Sequence, residues 1–249
     1  MPTDADGVAS MKDALAAAGV NSRTLSPAEG EALDRDGFAV FRGAIPVAWI
    51  EPLRETFERC DTPSERWPAP RESGTRHAML DDDPLVRRAC LLPVLLAGVY
   101  LYLPERFFLA SVEGRDPKRG GGKQSLHRDW AYRDAPCRLV KALGFLDAYG
   151  APNGATRVIP GSHREPGDGS AFVQYGEGNP REVVLEGEAG DIFLFHGRLA
   201  HSGTRNASGA KRRTLQMWFH THDLHEAGTD RRDVSRCNAL ERYLLGHTP

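Results

Sequence analysis

The chain of 249 residues has few cysteines, and their spacing does not suggest a metal or redox motif. The four are Cys60, Cys90, Cys137 and Cys237, and no two of them form a C-x-x-C pair. This argues against a zinc knuckle, a dithiol redox motif and a disulfide framework. We expect reduced, mostly buried thiols.

The sequence also has little of what marks a membrane, a secretory route or a nucleic-acid surface. Its longest apolar stretch, Ala89 to Leu103, is interrupted by Pro93 and is shorter than the ~20 residues that a membrane-spanning helix needs. The first ten residues are polar, without the apolar segment of a secretory signal. Lys plus Arg number 32 against 34 Asp plus Glu, so no excess of one charge attracts nucleic acid or an anionic membrane. We expect a cytoplasmic protein that binds a small molecule in a local pocket, with neither nucleic acid nor membrane as partner; the sequence leaves the oligomeric state open.

Turn-forming residues are plentiful, with 26 glycines and 17 prolines, which favours a turn-rich β architecture. Helical patterns come first: one is capped by Ser26 and Glu29, one follows Pro46, and one runs from Pro84 to about Tyr102. After Arg106, short apolar or alternating runs predict strands. They are Phe107–Val112, Leu139–Asp147, Ala155–Ile159, Arg181–Leu185, Asp191–Phe195 and Arg213–His220.

This order predicts a mainly β fold with buttressing helices, a double-stranded β-helix of the jelly-roll, cupin-like type. We expect residues 1–25 to form a flexible N-terminal arm, in which Met11–Ala18 has a short helical pattern. Residues 26–249 are expected to form a single domain.

A metal-binding pattern begins at His127-Arg128-Asp129. On a strand, His127 and Asp129 project to the same face because side chains alternate with period two. Two histidines and one carboxylate leave open positions on a metal, as an oxygen-activating Fe(II) site requires. A further histidine has to come from elsewhere, and both His196 and His201 follow the strand that begins near Asp191.

A second pattern lies downstream, where Arg212 and Thr214 share strand parity. A guanidinium fork beside a hydroxyl suits the distal carboxylate of a dicarboxylate co-substrate, because paired hydrogen bonds fix its orientation.

Together these segments resemble the phytanoyl-CoA dioxygenase family of Fe(II)/2-oxoglutarate oxygenases. The resemblance spans roughly residues 26 to 220 and is carried by four segments. These are Asp36 to Gly43, the His127-x-Asp129 motif, Asn153 to His163, and Gly190-Asp191 through His201 to Asn206 and Arg212. The chain also resembles, more faintly, the oxygenases that tailor orthosomycins, which are oligosaccharide antibiotics.

The resemblance implies a jelly-roll oxygenase that uses Fe(II), 2-oxoglutarate and O2. It implies His127, Asp129 and His201 as metal ligands, since the spacing from His201 to Arg212 matches the family and leaves His196 a structural role. Arg212 and Thr214, with Gln124 as a further candidate, would bind 2-oxoglutarate. The carboxylate at Asp129 implies hydroxylation or another oxidation, including ring closure, rather than halogenation.

The substrate contacts are less determined by the sequence. Trp130 and Tyr132 follow the first motif and either contact substrate or pack the barrel, and Trp218 either faces the pocket or fills the core. The cluster of His220, His222 and His225 is a possible second metal site, although a solvated strand end is the preferred interpretation.

We expect a small or medium polar metabolite of secondary metabolism as substrate, including a sugar or oligosaccharide antibiotic intermediate. Two other functions stay open: a cupin-like metal enzyme without 2-oxoglutarate, and a non-catalytic jelly-roll binding module. Arg212 and Thr214 argue against the first of these, and the complete His-Asp-His set argues against the second.

Overall fold

The computed structural model describes residues 8–60, 75–76, 83–132, 135–165, 179–224 and 234–247. The helices are α1 (Met11–Ala17), α2 (Pro27–Asp36), α3 (Val47–Arg59), α4 (Pro84–Cys90), α5 (Pro93–Tyr102) and α6 (Ala239–Leu244). The strands are β1 (Phe38–Phe41), β2 (Thr75–Arg76), β3 (Phe107–Arg115), β4 (Leu139–Phe145), β5 (Thr156–Val158), β6 (Val183–Val184), β7 (Ile192–His196), β8 (His201–Gly203) and β9 (Thr214–Thr221).

Helix α2 begins and ends where local chemistry dictates. The Ser26 hydroxyl accepts the backbone N–H of Glu29, and the Glu29 carboxylate accepts the N–H of Ser26, which forms the expected capping box. Gly37 ends the helix with φ 82°, a left-handed conformation that glycine adopts without a steric penalty. A Cβ at Gly37 would lie 2.4 Å from Nδ1 of His163, so close packing as well as backbone geometry requires glycine there.

The helix predicted from Pro84 to Tyr102 is two helices, so the prediction of one continuous helix was wrong. Leu92 has extended backbone geometry, and Pro93 opens α5 at an angle of 51° to α4. A proline disfavours helical geometry in the residue before it, which explains the break. Among the described residues, no single helix is long and apolar enough to cross a membrane. In the same part of the chain, α4 and α5 are the one bent pair that meets both criteria when the two helices are counted together.

Helix α1 differs from the flexible arm expected over residues 1–25. Ser10 caps it by accepting the backbone N–H of Asp13, and Met11, Ala14 and Leu15 are buried in the main core. The short helical pattern considered there is therefore a packed helix. The boundary at residue 25 and the single-domain division stay predictions.

The strands form two antiparallel sheets. The larger has the order β1-β7-β4-β9-β3-β2, and the smaller has the order β6-β5-β8. Every strand pair is antiparallel, and β3 carries a bulge between Leu109 and Ser111. The two sheets with helices against one of them form the expected jelly roll, and the predicted fold class is confirmed.

Period-two alternation divides the larger sheet into two faces. Val140 and Ala142 on β4 pack with the helices in the main core, whereas Leu143 and Phe145 pack in a second core together with residues of the smaller sheet. Burying each such side chain stabilises the fold by about 1.5–3 kcal/mol. The face toward the smaller sheet, called the inner face below, carries Lys141 and Phe195, which lie beside Asp129 and His201 respectively.

Candidate metal centre

The two predicted histidines are brought together by backbone pairing between distant segments. His127 and His201 form an antiparallel bridge in which each backbone N–H donates to the other carbonyl, both at 2.9 Å. Residues paired in this way project their side chains to the same side. The two rings lie 4.4 Å apart, so the fold places both imidazoles over one point.

Asp129 completes the group. Its Oδ1 lies 3.8 Å from Nε2 of His127, and its Oδ2 lies 3.4 Å from Nε2 of His201. The ligand atoms of the three residues all lie within 4.8 Å of one another, and no other group of three His, Cys, Asp or Glu ligands in the described ranges meets that criterion. Oδ2 is buried and accepts no hydrogen bond of ordinary geometry there. A buried carboxylate oxygen whose hydrogen-bonding capacity is not satisfied in this way is suited to bind a cation.

Backbone carbonyls orient both histidines. Nδ1 of His127 lies 2.8 Å from the Ser125 carbonyl, and Nδ1 of His201 lies 2.9 Å from the Leu199 carbonyl. Since a carbonyl only accepts, each Nδ1 carries the hydrogen and each Nε2 presents its lone pair toward Asp129. Burial lowers the pKa of His201 to about 4, which keeps that imidazole neutral near neutral pH. Two imidazoles and one carboxylate match the donor set that non-haem Fe(II) uses.

His196 points away from this group. It is paired with Val140 on the helical side of the larger sheet, and its ring lies 5.0 Å from that of Tyr102 on α5. Its Nδ1 accepts the backbone N–H of Arg198 at 3.1 Å, and burial lowers its pKa to about 3. His196 thus ends β7 in the larger sheet, whereas His201 begins β8 in the smaller sheet.

The other predicted histidine cluster gains no support in the described residues. His220 and His222 each pack edge-on against the ring of Phe108, at 6.1 and 6.3 Å between ring centroids. His225 lies outside the described residues.

Lys141 lies beside the three ligands and was missed from the sequence. Its Nζ lies 3.3 Å from Oδ2 of Asp129 and 3.7 Å from the ring centroid of Trp218. Burial raises the pKa of Asp129, but the charge and hydrogen bond of Lys141 act together with His201 and His127 to hold that pKa below its usual range. The sequence signal was a lysine within the otherwise apolar run from Leu139 to Phe145.

Arg212 is buried, with only 4% of its surface exposed, just before β9. Its Nη1 donates to the Gly154 carbonyl at 2.6 Å and to the Tyr149 hydroxyl at 3.1 Å, while Nε has no partner among the described residues. Asp116 accepts the backbone N–H of Arg212 at 3.0 Å, but no carboxylate of the described chain pairs with the guanidinium. Tyr149 and Asp116 were not predicted as site residues.

The remaining predicted residues occupy different places around the group. The Thr214 hydroxyl is buried and donates to the Arg115 carbonyl at 3.4 Å, and the Gln124 side-chain oxygen accepts the Gly203 N–H at 3.3 Å. Trp130 is buried and packs edge-on against Tyr132, whose surface is 66% exposed. Trp218 lies on the inner face beneath Lys141. The nitrogen of each indole ring is buried without a partner in the described residues.

A jelly roll that carries two histidines and a carboxylate around one point defines a mononuclear metal enzyme of the two-histidine, one-carboxylate class. The sequence profile of the phytanoyl-CoA dioxygenase (PhyH) family matches residues 33–214. The chain belongs to this family, and the expected class, a non-haem iron 2-oxoglutarate-dependent dioxygenase, is confirmed at that level.

Individual relatives agree with this assignment. The chain is 27% identical over 250 residues to the human peroxisomal phytanoyl-CoA dioxygenase, an alignment that covers 86% of this chain and 72% of the human one. It is 38% identical over 97 residues to the dioxygenase aneA of Aspergillus aculeatus, which covers 36% of this chain and only 32% of aneA.

A likeness among solved structures concerns the fold. HygX from Streptomyces hygroscopicus, with nickel and 2-oxoglutarate bound, superposes with a TM-score of 0.63 at 21% identity. The superposition covers 79% of this chain and 87% of HygX.

Proposed function

We propose that the chain is an Fe(II)/2-oxoglutarate-dependent oxygenase that hydroxylates or oxidatively cyclises a small or medium polar metabolite of secondary metabolism. His127, Asp129 and His201 hold the iron, and Arg212 binds the distal carboxylate of 2-oxoglutarate. One observation carries the proposal: a compact His-Asp-His group occurs in the same fold as a buried guanidinium that has no carboxylate partner among the described residues. An unpaired buried charge is costly, so an anionic ligand is expected at Arg212.

Each protein group has a role in holding the reactants. The Ser125 and Leu199 carbonyls fix the imidazoles so that both Nε2 atoms face Asp129. Gly154 and Tyr149 orient the guanidinium of Arg212 and leave Nε and Nη2 to bind a carboxylate. The Phe195 ring lies edge-on to His201 at 4.7 Å and excludes water from that side of the ligand group.

The bound iron and 2-oxoglutarate supply the oxidation chemistry, in which O2 is reduced and 2-oxoglutarate is decarboxylated to succinate. The protein orients the co-substrate and substrate and keeps bulk water out. Gln124 and Thr214 are retained as weaker candidates for contacts to 2-oxoglutarate.

The substrate class is proposed from the residues on the inner face near the ligands. Ser111 and Glu113 on β3 are paired with Trp218 and Gln216 on β9, so all four side chains lie on the same face of the sheet. Ser111 and Glu113 are only partly buried. Such a surface offers donors and acceptors to a hydroxyl-rich molecule, with Trp130, Tyr132 and Trp218 as flat contacts. A HygX structure contains hygromycin B as well as 2-oxoglutarate, which supports an antibiotic intermediate as substrate here. The cytoplasmic location and the lack of nucleic-acid or membrane partners stay predictions.

The test is an anaerobic titration of purified protein with Fe(II) and then with 2-oxoglutarate, followed by visible absorption. We expect a weak metal-to-ligand charge-transfer band that saturates with one equivalent of each. Asp129→Ala should lose the band, while Lys12→Met, an exposed change on α1, should keep it.

The outcomes separate the three functions. If iron binds but 2-oxoglutarate gives no band and no calorimetric heat, the chain is a cupin-like metal enzyme without this co-substrate. If neither ligand binds, it is a non-catalytic binding module. If both bind, the search moves to substrates, with succinate release as the measure of turnover.

A further inference from the structure

Lys141 occupies an unusual environment for a lysine. It lies on the inner face of β4, in register with Phe195 on β7 and Trp218 on β9. Its Nζ lies 3.7 Å from the Trp218 ring centroid and 6.0 Å from that of Phe195, and 9% of its side chain is exposed. A buried ammonium is costly unless an opposite charge compensates it, so a lysine at this position calls for a specific explanation.

Asp129 supplies that compensation. It is the one carboxylate in the described residues that lies within 4 Å of the Lys141 ammonium, at 3.3 Å. Glu113 and Arg115 also act on Lys141 electrostatically, and their effects have opposite sign. Asp129 therefore has two functions: it is the counter-ion of Lys141 and a proposed metal ligand.

These two functions compete for one carboxylate. Without a metal, the charges of Asp129 and Lys141 sum to zero. A divalent ion bound by Asp129 brings the sum to +2 in a largely buried space, since the two neighbouring histidines are neutral ligands. Like charges repel more strongly where water is excluded, so Lys141 opposes metal binding. The same surplus attracts any anionic group that enters next.

We propose that Lys141 is a positioning residue that balances charge at the metal centre: it weakens binding of the divalent ion alone and strengthens binding of an anionic ligand to the metal-loaded protein. The inference rests on the proposed function, because it takes Asp129 as a metal ligand. Its consequence is ordered, coupled loading, in which the ion is held firmly only together with a carboxylate ligand such as 2-oxoglutarate. A lysine with a purely structural role would not change the affinities for the metal and for the anionic ligand in opposite directions.

The experiment measures two affinities in the full chain under anaerobic conditions. Co(II) binding is followed by its visible d–d absorption, and 2-oxoglutarate binding to the Co(II)-loaded protein is followed by calorimetry. For Lys141→Met, we expect Co(II) affinity to rise and 2-oxoglutarate affinity to fall, each by about tenfold or more. Lys141→Gln, which keeps a hydrogen-bond donor without the charge, should change both affinities in the same directions. Lys12→Met should change neither.

Several outcomes would overturn the proposal. If both affinities fall together in the Lys141 variants, the lysine only supports the fold; if neither changes, its charge plays no part. If wild-type protein binds neither Co(II) nor 2-oxoglutarate, the proposed function itself fails, which is a different result.

If neither Lys141→Met nor Lys141→Gln folds, a double variant still tests the proposal. In that case Lys141→Met combined with Asp129→Asn should restore most of the lost thermal stability, because the unpaired carboxylate is what destabilises the metal-free protein. An equally unstable double variant would contradict the pairing on which the proposal depends.

Discussion

Replacing Arg212 by alanine should weaken 2-oxoglutarate binding far more than iron binding. Nη1 already donates to Gly154 and Tyr149, so Nε and Nη2 are the groups that can bind a carboxylate side-on. Two charge-assisted hydrogen bonds at ~1.5 kcal/mol each, the low end of their range, give about 3 kcal/mol, or about 150-fold in the dissociation constant at 25 °C.

The assay is the anaerobic charge-transfer titration, with the metal affinity measured separately in the same variants. Arg213→Ala is the matched control, because Arg213 pairs with Asp147 through Nε and Nη2, at 2.9 and 2.8 Å, rather than with the site. It should lower thermal stability but change 2-oxoglutarate affinity by less than about threefold. A similarly small effect for Arg212→Ala would show that the distal carboxylate binds elsewhere.

Three further predictions concern stability. The folded pKa of His196, about 3 against an ordinary 6.5, means that the unfolded chain binds its proton first as pH falls. Between about pH 7.5 and about pH 5, the free energy of unfolding of the metal-free wild-type protein should therefore fall by about 2 kcal/mol more than that of His196→Asn. If urea unfolding gives the same pH dependence of this free energy for both proteins, the prediction is wrong. Gly37→Ala places a side chain at a left-handed φ of 82° and a Cβ 2.4 Å from His163, so it should lower the free energy of unfolding by about 2–3 kcal/mol. Gly43→Ala has φ 57° but open space around the Cβ and should lower it by about 1 kcal/mol. Equal melting temperatures of the two variants would contradict the packing argument. A divalent ion at about 100 times its dissociation constant should stabilise wild type by about 2.7 kcal/mol in denaturant titration and leave Asp129→Ala unchanged; an equal gain in both would place the ion elsewhere.

The strand pattern of this chain was predictable because short apolar or alternating runs are separated by turn-forming residues. Runs such as Leu139 to Asp147 and Arg213 to His220 were found within two residues of their observed bounds. The break at Pro93 was visible in the sequence as well, but the apolar residues on both sides favoured one continuous helix. Helix α1 was predicted only as a short pattern within a flexible arm, because its set of buried residues, Met11, Ala14 and Leu15, is small.

The site was only partly predictable because some of its contacts cross between elements. Spacing identified His127 and Asp129 as a pair, but the choice of His201 over His196 came from the family resemblance, because the residues alone left both open. Lys141, Tyr149 and Asp116 are distant in sequence from the residues they contact, and their contacts arise from strand register and loop packing. No local pattern encodes such a contact.

The hydrogen-bonded bridge between His127 and His201 also affects how the protein acquires its metal. The two segments are separated in the chain by β4, β5, β6 and β7, so we expect the bridge to form late in folding, because closing such a long loop costs conformational entropy. A partly folded chain without this bridge offers the ion only two of the three proposed ligands, the adjacent His127 and Asp129. Stable retention of the ion is thus a late event in biogenesis, and the fraction of purified protein that retains it after desalting should report how much of a preparation has reached the native topology.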